Sequence, residues 1–345
     1  MNELEFIYER LDSACCPEEV FGTGDDPGVV FKKLARACHP DMYPGVPRAN
    51  EVFKKLAALK DEADRRVKDG RWGKRIPLPH CVPLTIGKYK AKPHPRVGDI
   101  ADLYTVDGKA LLIKVARHHD DNDLLRAEVN ALNILENIKP PVQDGVPKLL
   151  DNFYVDGTWK REANVITLFP GFVSAQQIRQ KMGVDARTTV WMFKRLLSLL
   201  SWVHHFKLIH GAILPPHVLF YPDNDGKTGN DPRKHSIRLI DWCYSVDFAN
   251  RTRLSSWVPA WQDHYAPELL SKKFIGPQSD IYMGAKLIRY LCHDALPGEL
   301  EGVLTRCLNP DPKQRYQKAG AVFDDWVKAA TKEFGTPKWH AFNLP

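Results

Sequence analysis

Apolar residues recur at helical spacing near the start of the chain, and farther on they form continuous strand-like runs. Leu4, Ile7, Tyr8 and Leu11 fall on one face of a short helix predicted over residues 2–13. A loop punctuated by glycine, aspartate and proline follows, from Gly22 to Gly28. Val29 to Cys38 then sets apolar residues on one side of a helix and basic residues on the other. It stops at His39-Pro40-Asp41, because Pro40 cannot continue a helix and pushes His39 out of the α region. Helical spacing resumes from Arg48 to Lys68, with Val52, Phe53, Leu56, Leu59 and Ala63 on the apolar face. Pro77, Pro79, Pro83, Pro93 and Pro95 stiffen a stretch of little periodicity, which reads as a linker with a first strand beginning near Leu84.

Beyond the linker, Arg96–Tyr104 and the apolar run Ala110–Val115 flank an Asp107-Gly108 turn, a hairpin signal. Lys114 falls at the end of that run, where an unpaired ammonium is costly unless it snorkels to water or meets a carboxylate. Asp123 to Leu135 reads as a helix with Leu124, Leu125, Val129, Leu132 and Leu135 inward. Val165 to Phe169 is an apolar strand that runs into Pro170-Gly171, a hinge. Thr188 to Phe206 is a long helix through Trp191, Met192, Leu196, Leu199, Leu200 and Val203. Its last-turn His204 and His205 are expected at the surface, complementing the helix dipole.

Composition narrows the class. The 345 residues, 43% hydrophobic and 26% charged, suit one large core or two smaller ones. A net charge of +7 is scattered among acids, which reads as a solvated basic surface, and no nucleic-acid partner is expected. No apolar run is long enough to span a bilayer, and the acidic N-terminus lacks the layout of a secretory signal. The seven cysteines form an odd set without a C-x-x-C pair. A disulfide framework, a zinc site, haem and a membrane partner are therefore not expected, and a cytoplasmic setting is.

The basic helix, the His39-Pro40-Asp41 turn and the following helix with Phe53-Lys54-Lys55-Leu56 together resemble the J-domain of DnaJ-type co-chaperones, over residues 1 to about 72. The resemblance implies that His39, Pro40 and Asp41 contact a DnaK-type chaperone and stimulate its ATP hydrolysis. Lys32, Lys33 and Arg36 would steer the encounter. The long acidic loop between the first two helices departs from the family.

A second resemblance covers about residues 84–330. His210-Gly211-Ala212-Ile213-Leu214-Pro215-Pro216-His217-Val218-Leu219, followed by Ile240-Asp241-Trp242-Cys243, resembles the catalytic and metal-binding loops of protein kinases, H-R-D-L-x-x-x-N and D-F-G. Arg96, Gly98 and Ala101 stand at the glycine-rich loop, so one glycine of three remains there. Leu112 stands at the alanine of V-A-I-K and would narrow the adenine pocket. Lys114 stands at the lysine, and Glu128 is its implied helix partner. Tyr265-Ala266-Pro267-Glu268 matches A-P-E. Asp280 is the implied anchor of the catalytic-loop backbone, and Arg315 the implied partner of Glu268.

What is missing bears on chemistry. Ala212 stands where a kinase has its catalytic carboxylate, and a methyl group takes no proton. Leu214 replaces the lysine that stabilises the transferring phosphoryl group, Gly211 an arginine that grips an activating phosphate, and Trp242-Cys243 the Phe-Gly pair. Asp241, which stands at the metal-binding aspartate, and His217, which replaces a magnesium-binding asparagine, are the implied metal ligands, although imidazole suits transition metals better than magnesium.

The expected fold is α+β and multidomain. It comprises an all-α J-domain-like hairpin at 1–75, a linker at 76–95, a kinase-like N-lobe at 84–170, a C-lobe at 171–333 and a tail at 334–345. Trp339 and Phe342 are expected to dock that tail. The implied function is a J-domain co-chaperone-like protein whose pseudokinase unit binds ATP, with or without Mg2+, or a client protein. Two alternatives stand beside it. One is an atypical phosphotransferase using Lys114, Glu128 and Asp241, with His217 or Asp247 positioning the acceptor. The other is a scaffold that takes no nucleotide.

Overall fold

The computed structural model describes residues 4, 7–8, 11, 17–22, 26–68, 72, 84–94, 98–117, 119–136, 145–155, 160–221, 235–250, 254, 256–271, 275–336 and 342. Cys15, Cys16, Cys81, Arg96, Trp339 and most of the proline-rich linker lie outside the described residues. The chain divides into two compact units. Met1–Thr85 with Lys90–Pro95 forms the first, and Ile86–Tyr89 with Arg96–Pro345 forms the second. Both helices and antiparallel strands are present, so the class is α+β.

In the first unit Leu4, Ile7, Tyr8 and Leu11 are helical, and Leu4, Ile7 and Leu11 are buried. The next helix, α1 (Pro17–Phe21), is absent from the sequence reading: a single turn is too short to show a period. α2 (Pro27–Ala37) begins inside the stretch expected to be loop. Asp26 caps it, its carboxylate accepting from the Gly28 N–H at 2.8 Å, and Pro27 sits in the first turn where its missing N–H costs nothing. α3 (Pro47–Lys68) packs back on α2. Val20, Phe21, Cys38, Val52, Leu56 and Ala63 form the core between these helices. Full burial of each large apolar side chain stabilises by about 1.5–3 kcal/mol.

β1 (Leu84–Ile86) and β2 (Tyr89–Pro93) occupy the last part of the expected linker. In the second unit β3 (Ala101–Val106), β4 (Lys109–Ala116), β5 (Leu149–Val155) and β6 (Arg161–Thr167) run antiparallel in the order β3-β4-β6-β5. Gly108, at φ 69°, makes the tight β3–β4 turn. The β5–β6 hairpin was legible only at its end, because β5 alternates apolar and polar residues too irregularly to stand out. α4 (Asn122–Glu136) packs on β6 with Leu124, Leu125, Leu132 and Leu135 buried.

A helical layer follows. β7 (Val173–Ser174) leads into α5 (Ala175–Lys181), whose Ser174 and Gln177 close a capping box. α6 (Ala186–His205) is capped by Asp185, which accepts from Thr188 N–H at 2.6 Å. β8 (Leu208–Ile209), β9 (Val218–Tyr221), β10 (Ser236–Leu239) and β11 (Val246–Asp247) are short. β9 pairs antiparallel with both β10 and β7, and β8 with β11. α7 (Pro267–Leu270), α8 (Pro277–Leu291), α9 (Gly298–Cys307) and α10 (Ala319–Phe334) complete the unit around one core. Phe342 is buried with its ring 5.9 Å from that of Trp191. Among the described residues no helix is long and apolar enough to cross a membrane.

Candidate functional site

Strand register assembles the site. Lys114 on β4 faces Asn164 on β6, and the first carboxylate it meets is on α4. Lys114 Nζ lies 2.9 Å from Glu128 Oε1, 2.6 Å from Asp241 Oδ1 and 3.0 Å from Cys243 Sγ. All four groups are nearly or wholly cut off from solvent except Asp241, whose side chain is 16% exposed. Burial alone would lower the Lys114 pKa. The Asp241 and Glu128 charges outweigh it and hold the ammonium well above its ordinary range. The same charges work in reverse on Asp241: burial pushes its carboxyl up, and Lys114 with His217 pulls it well below the carboxylate range. Burial keeps Cys243 a thiol.

Asn164 is a site residue that the sequence reading missed. It is fully buried, and its Nδ2 donates to Leu125 O at 2.9 Å and to Glu128 Oε2 at 3.0 Å. It fixes the carboxylate that Lys114 meets. Its signal was a lone amide inside an apolar run, a polar group that burial tolerates only when paired.

The β9–β10 ladder brings His217 and Asp241 side by side: Ile240 N–H donates to His217 O at 3.0 Å, one residue before Asp241. Asp241 takes a left-handed conformation, φ 65° and ψ 69°, which aspartate tolerates better than most residues. Its Oδ2 lies 3.2 Å from His217 Nε2, while His217 Nδ1 lies 3.0 Å from Ala212 O. Both oxygens of Asp241 are thus engaged by side chains of the protein, Lys114 and His217. Tyr244 lies parallel to the His217 ring, with centroids 6.5 Å apart, and its hydroxyl donates to Asp99. Asp99 belongs to the loop before β3. Arg117 pins that loop through Gly98 O at 2.9 Å and Asp99 O at 3.2 Å. A Cβ on Gly98 would stand 2.4 Å from Ala101 O, so close backbone approach holds glycine there.

These groups do not fit a magnesium ion. Magnesium needs several hard oxygen ligands in open octahedral positions. Here one carboxylate has its two oxygens in contact with the Lys114 ammonium and the His217 imidazole. Glu128, Asp241 and Cys243 could each lend a ligand atom, all within 4.8 Å of one another, yet the Lys114 ammonium already stands at bonding distance from all three.

The loop after β8 is tied down by hydrogen bonds to its backbone. Asp280 of α8 accepts from His210 N–H at 2.9 Å and Gly211 N–H at 3.0 Å. His204 joins it, with Nε2 3.0 Å from Asp280 Oδ2 and a side chain only 8% exposed. The expectation of a surface His204 is therefore wrong: the end of α6 turns inward and its histidine becomes a third ligand of Asp280. Ala212 and Leu214 are fully buried. Asp247 spends its carboxylate on the turn after β11, accepting from Ala249 N–H at 3.0 Å and Asn250 Nδ2 at 2.6 Å. Farther off, Arg315 Nη1 and Nη2 meet Glu268 Oε1 and Oε2 at 2.7 and 2.9 Å.

His210 is buried with Nε2 3.1 Å from Ile240 O and Nδ1 accepting from Ala212 N–H at 3.3 Å, the pattern of a neutral ring. Burial pushes its pKa down from 6.5 to about 4. A lowered value means the unfolded chain binds the proton first, so this contribution is complete above about pH 6.5 and lost as pH falls towards 4. Between pH 7 and 5 it is expected to remove about 2 kcal/mol of stability. Urea unfolding at both pH values should show a flatter pH slope for His210→Gln than for wild type. The remainder includes His264, which burial also pushes down to about 4. An unchanged slope in the variant would refute this account.

In the first unit, His39-Pro40-Asp41 forms a turn between α2 and α3. His39 Nδ1 accepts from Asp41 N–H at 3.3 Å, and the His39 ring meets Phe53 edge-on at 5.2 Å. Asp41, Lys32, Lys33 and Arg36 are exposed.

No protein-family model matches the chain. Two mouse proteins, sperm motility kinase 3A and sperm motility kinase 3B, are each 21% identical to it over 216 residues. The match covers 55% of this chain and 41% of each relative, so the chain spans less than half their length. With the site geometry above, this distant likeness supports a protein-kinase-like domain in the chain.

Proposed function

We propose that this chain is a J-domain co-chaperone-like protein whose second unit is a pseudokinase, a binding module for a nucleotide or a client protein. The observation that carries the second half is the state of the catalytic frame. The base position holds the buried methyl of Ala212, and each oxygen of Asp241 is engaged by a side chain of the protein, Lys114 or His217. Phosphoryl transfer depends on positioned charge and metal, and this site has neither a base nor an open metal ligand. Lys114 is the group suited to meet the phosphates of ATP, exchanging Asp241 Oδ1 for a phosphate oxygen. A nucleotide would then stabilise the unit by mass action.

The first half rests on the turn at His39-Pro40-Asp41, whose Asp41 is exposed and whose His39 and Pro40 are half-buried, with the exposed bases Lys32, Lys33 and Arg36 on the preceding helix. A DnaK-type chaperone is the partner this arrangement fits, with the basic face speeding the encounter. The test uses the full chain and the steady-state ATPase of a DnaK-type chaperone. Wild type is expected to stimulate it, and His39→Gln to lose most of that stimulation while keeping its circular dichroism spectrum. Equal stimulation by the variant would end the co-chaperone reading. Single-turnover incubation with labelled ATP should give no phosphoprotein. Transfer that disappears in Lys114→Ala would overturn the pseudokinase reading instead.

A further inference from the structure

The basic and acidic groups of the site pair with one another without any ion. Lys114 meets Glu128 and Asp241, and His217 meets Asp241, all within a buried cluster. His217 is the unusual member. Both of its ring nitrogens face acceptors, the Ala212 carbonyl at 3.0 Å and Asp241 Oδ2 at 3.2 Å. The Tyr244 ring lies parallel to the His217 ring, with the Tyr244 hydroxyl held by Asp99. A divalent cation on Asp241 would have to break the His217 contact and bring two further positive charges beside Lys114, in a low-dielectric site.

We propose that His217 takes the place of a divalent cation at Asp241, so that this site excludes metal by filling the second carboxylate oxygen with a ring nitrogen of its own. The inference deepens the pseudokinase reading and rests on it. It names the residue that sets metal selectivity and predicts that any phosphate ligand arrives uncomplexed. The test is run without nucleotide, so its failure is separable from a failure to bind ATP or to engage a chaperone.

Mn2+ is the probe, followed by loss of its free electron paramagnetic resonance signal on titration into the full chain. Metal bound at the site is defined as the part abolished by Asp241→Asn. Wild type is expected to show none at millimolar Mn2+. His217→Asp, which replaces the imidazole by a hard oxygen ligand, is expected to gain a site at least about tenfold tighter than any in wild type. His217→Asn is a near-isosteric second variant and should gain a weaker one. Thermal unfolding of each variant reports whether it is folded. Wild-type binding that Asp241→Asn abolishes would overturn the proposal. So would folded His217 variants that still bind no Mn2+, because the exclusion would then lie elsewhere.

Discussion

Replacing Arg315 by methionine is expected to destabilise the second unit by about 3–5 kcal/mol, the usual cost of removing one partner from a buried ion pair. The size follows from how fully the guanidinium is used. Arg315 is 2% exposed, and all five of its N–H donors have an acceptor. Nε reaches Asn309 O at 2.6 Å, Nη1 reaches Glu268 and Gln278 O, and Nη2 reaches Glu268 and Pro310 O. Methionine fills much of the volume but leaves Glu268 as a buried carboxylate, with only the Ser279 hydroxyl, among the described residues, at 2.8 Å to share its charge. Three backbone carbonyls also lose their donor. Removing the charge as well, in Arg315→Met with Glu268→Gln, should cost clearly less than the two single changes summed. Arg315→Lys should fall between, since an ammonium cannot make the two-pronged contact. The midpoint of urea unfolding with its slope checks all four chains. Additive effects would mean that the pair is not coupled as its geometry requires.

Asp280→Ala is the second large effect, about 3–5 kcal/mol if the two amides it strands behave like other buried donors. Two N–H groups, of His210 and Gly211, and the His204 ring lose their acceptor together. The loop should therefore open before the unit unfolds. Amide hydrogen exchange at residues 210 and 211 should quicken by several orders of magnitude, while amides in the middle of α6 should change only with global stability. Asp280→Asn keeps one oxygen and should show a smaller loss. Equal quickening at 210 and throughout α6 would mean that Asp280 supports the fold as a whole and not the loop.

Much of this was legible before any coordinates. The long helices α3, α4 and α6 announced themselves through apolar periodicity. Lys114 stood out because an ammonium inside an apolar strand needs a partner. Lys114, Glu128 and Asp241 could be named as a set only through the order of motifs along the chain. What stayed hidden is instructive. Asn164 was invisible because its meaning lies in Glu128, a residue 36 positions away that the register of β6 and the packing of α4 bring to it. His204 was misplaced because helix-end statistics describe solvent-facing termini, and this terminus is packed against Asp280. The His217–Asp241 contact was not foreseen either: two residues each weighed as metal ligands turned out to be ligands of one another.

Gly211 carries a last consequence. Its backbone sits at φ 76°, and a Cβ there would stand 2.4 Å from Tyr244 O and 2.7 Å from Leu254 Cδ1. The position where a kinase keeps an arginine has thus been built over by its neighbours. A side chain at 211 would collide with the Tyr244 backbone and the Leu254 side chain, so any residue larger than glycine there requires Tyr244 and Leu254 to move with it. The three positions can vary only together, and a substitution scan that changes them one at a time would score position 211 as intolerant for reasons of packing alone.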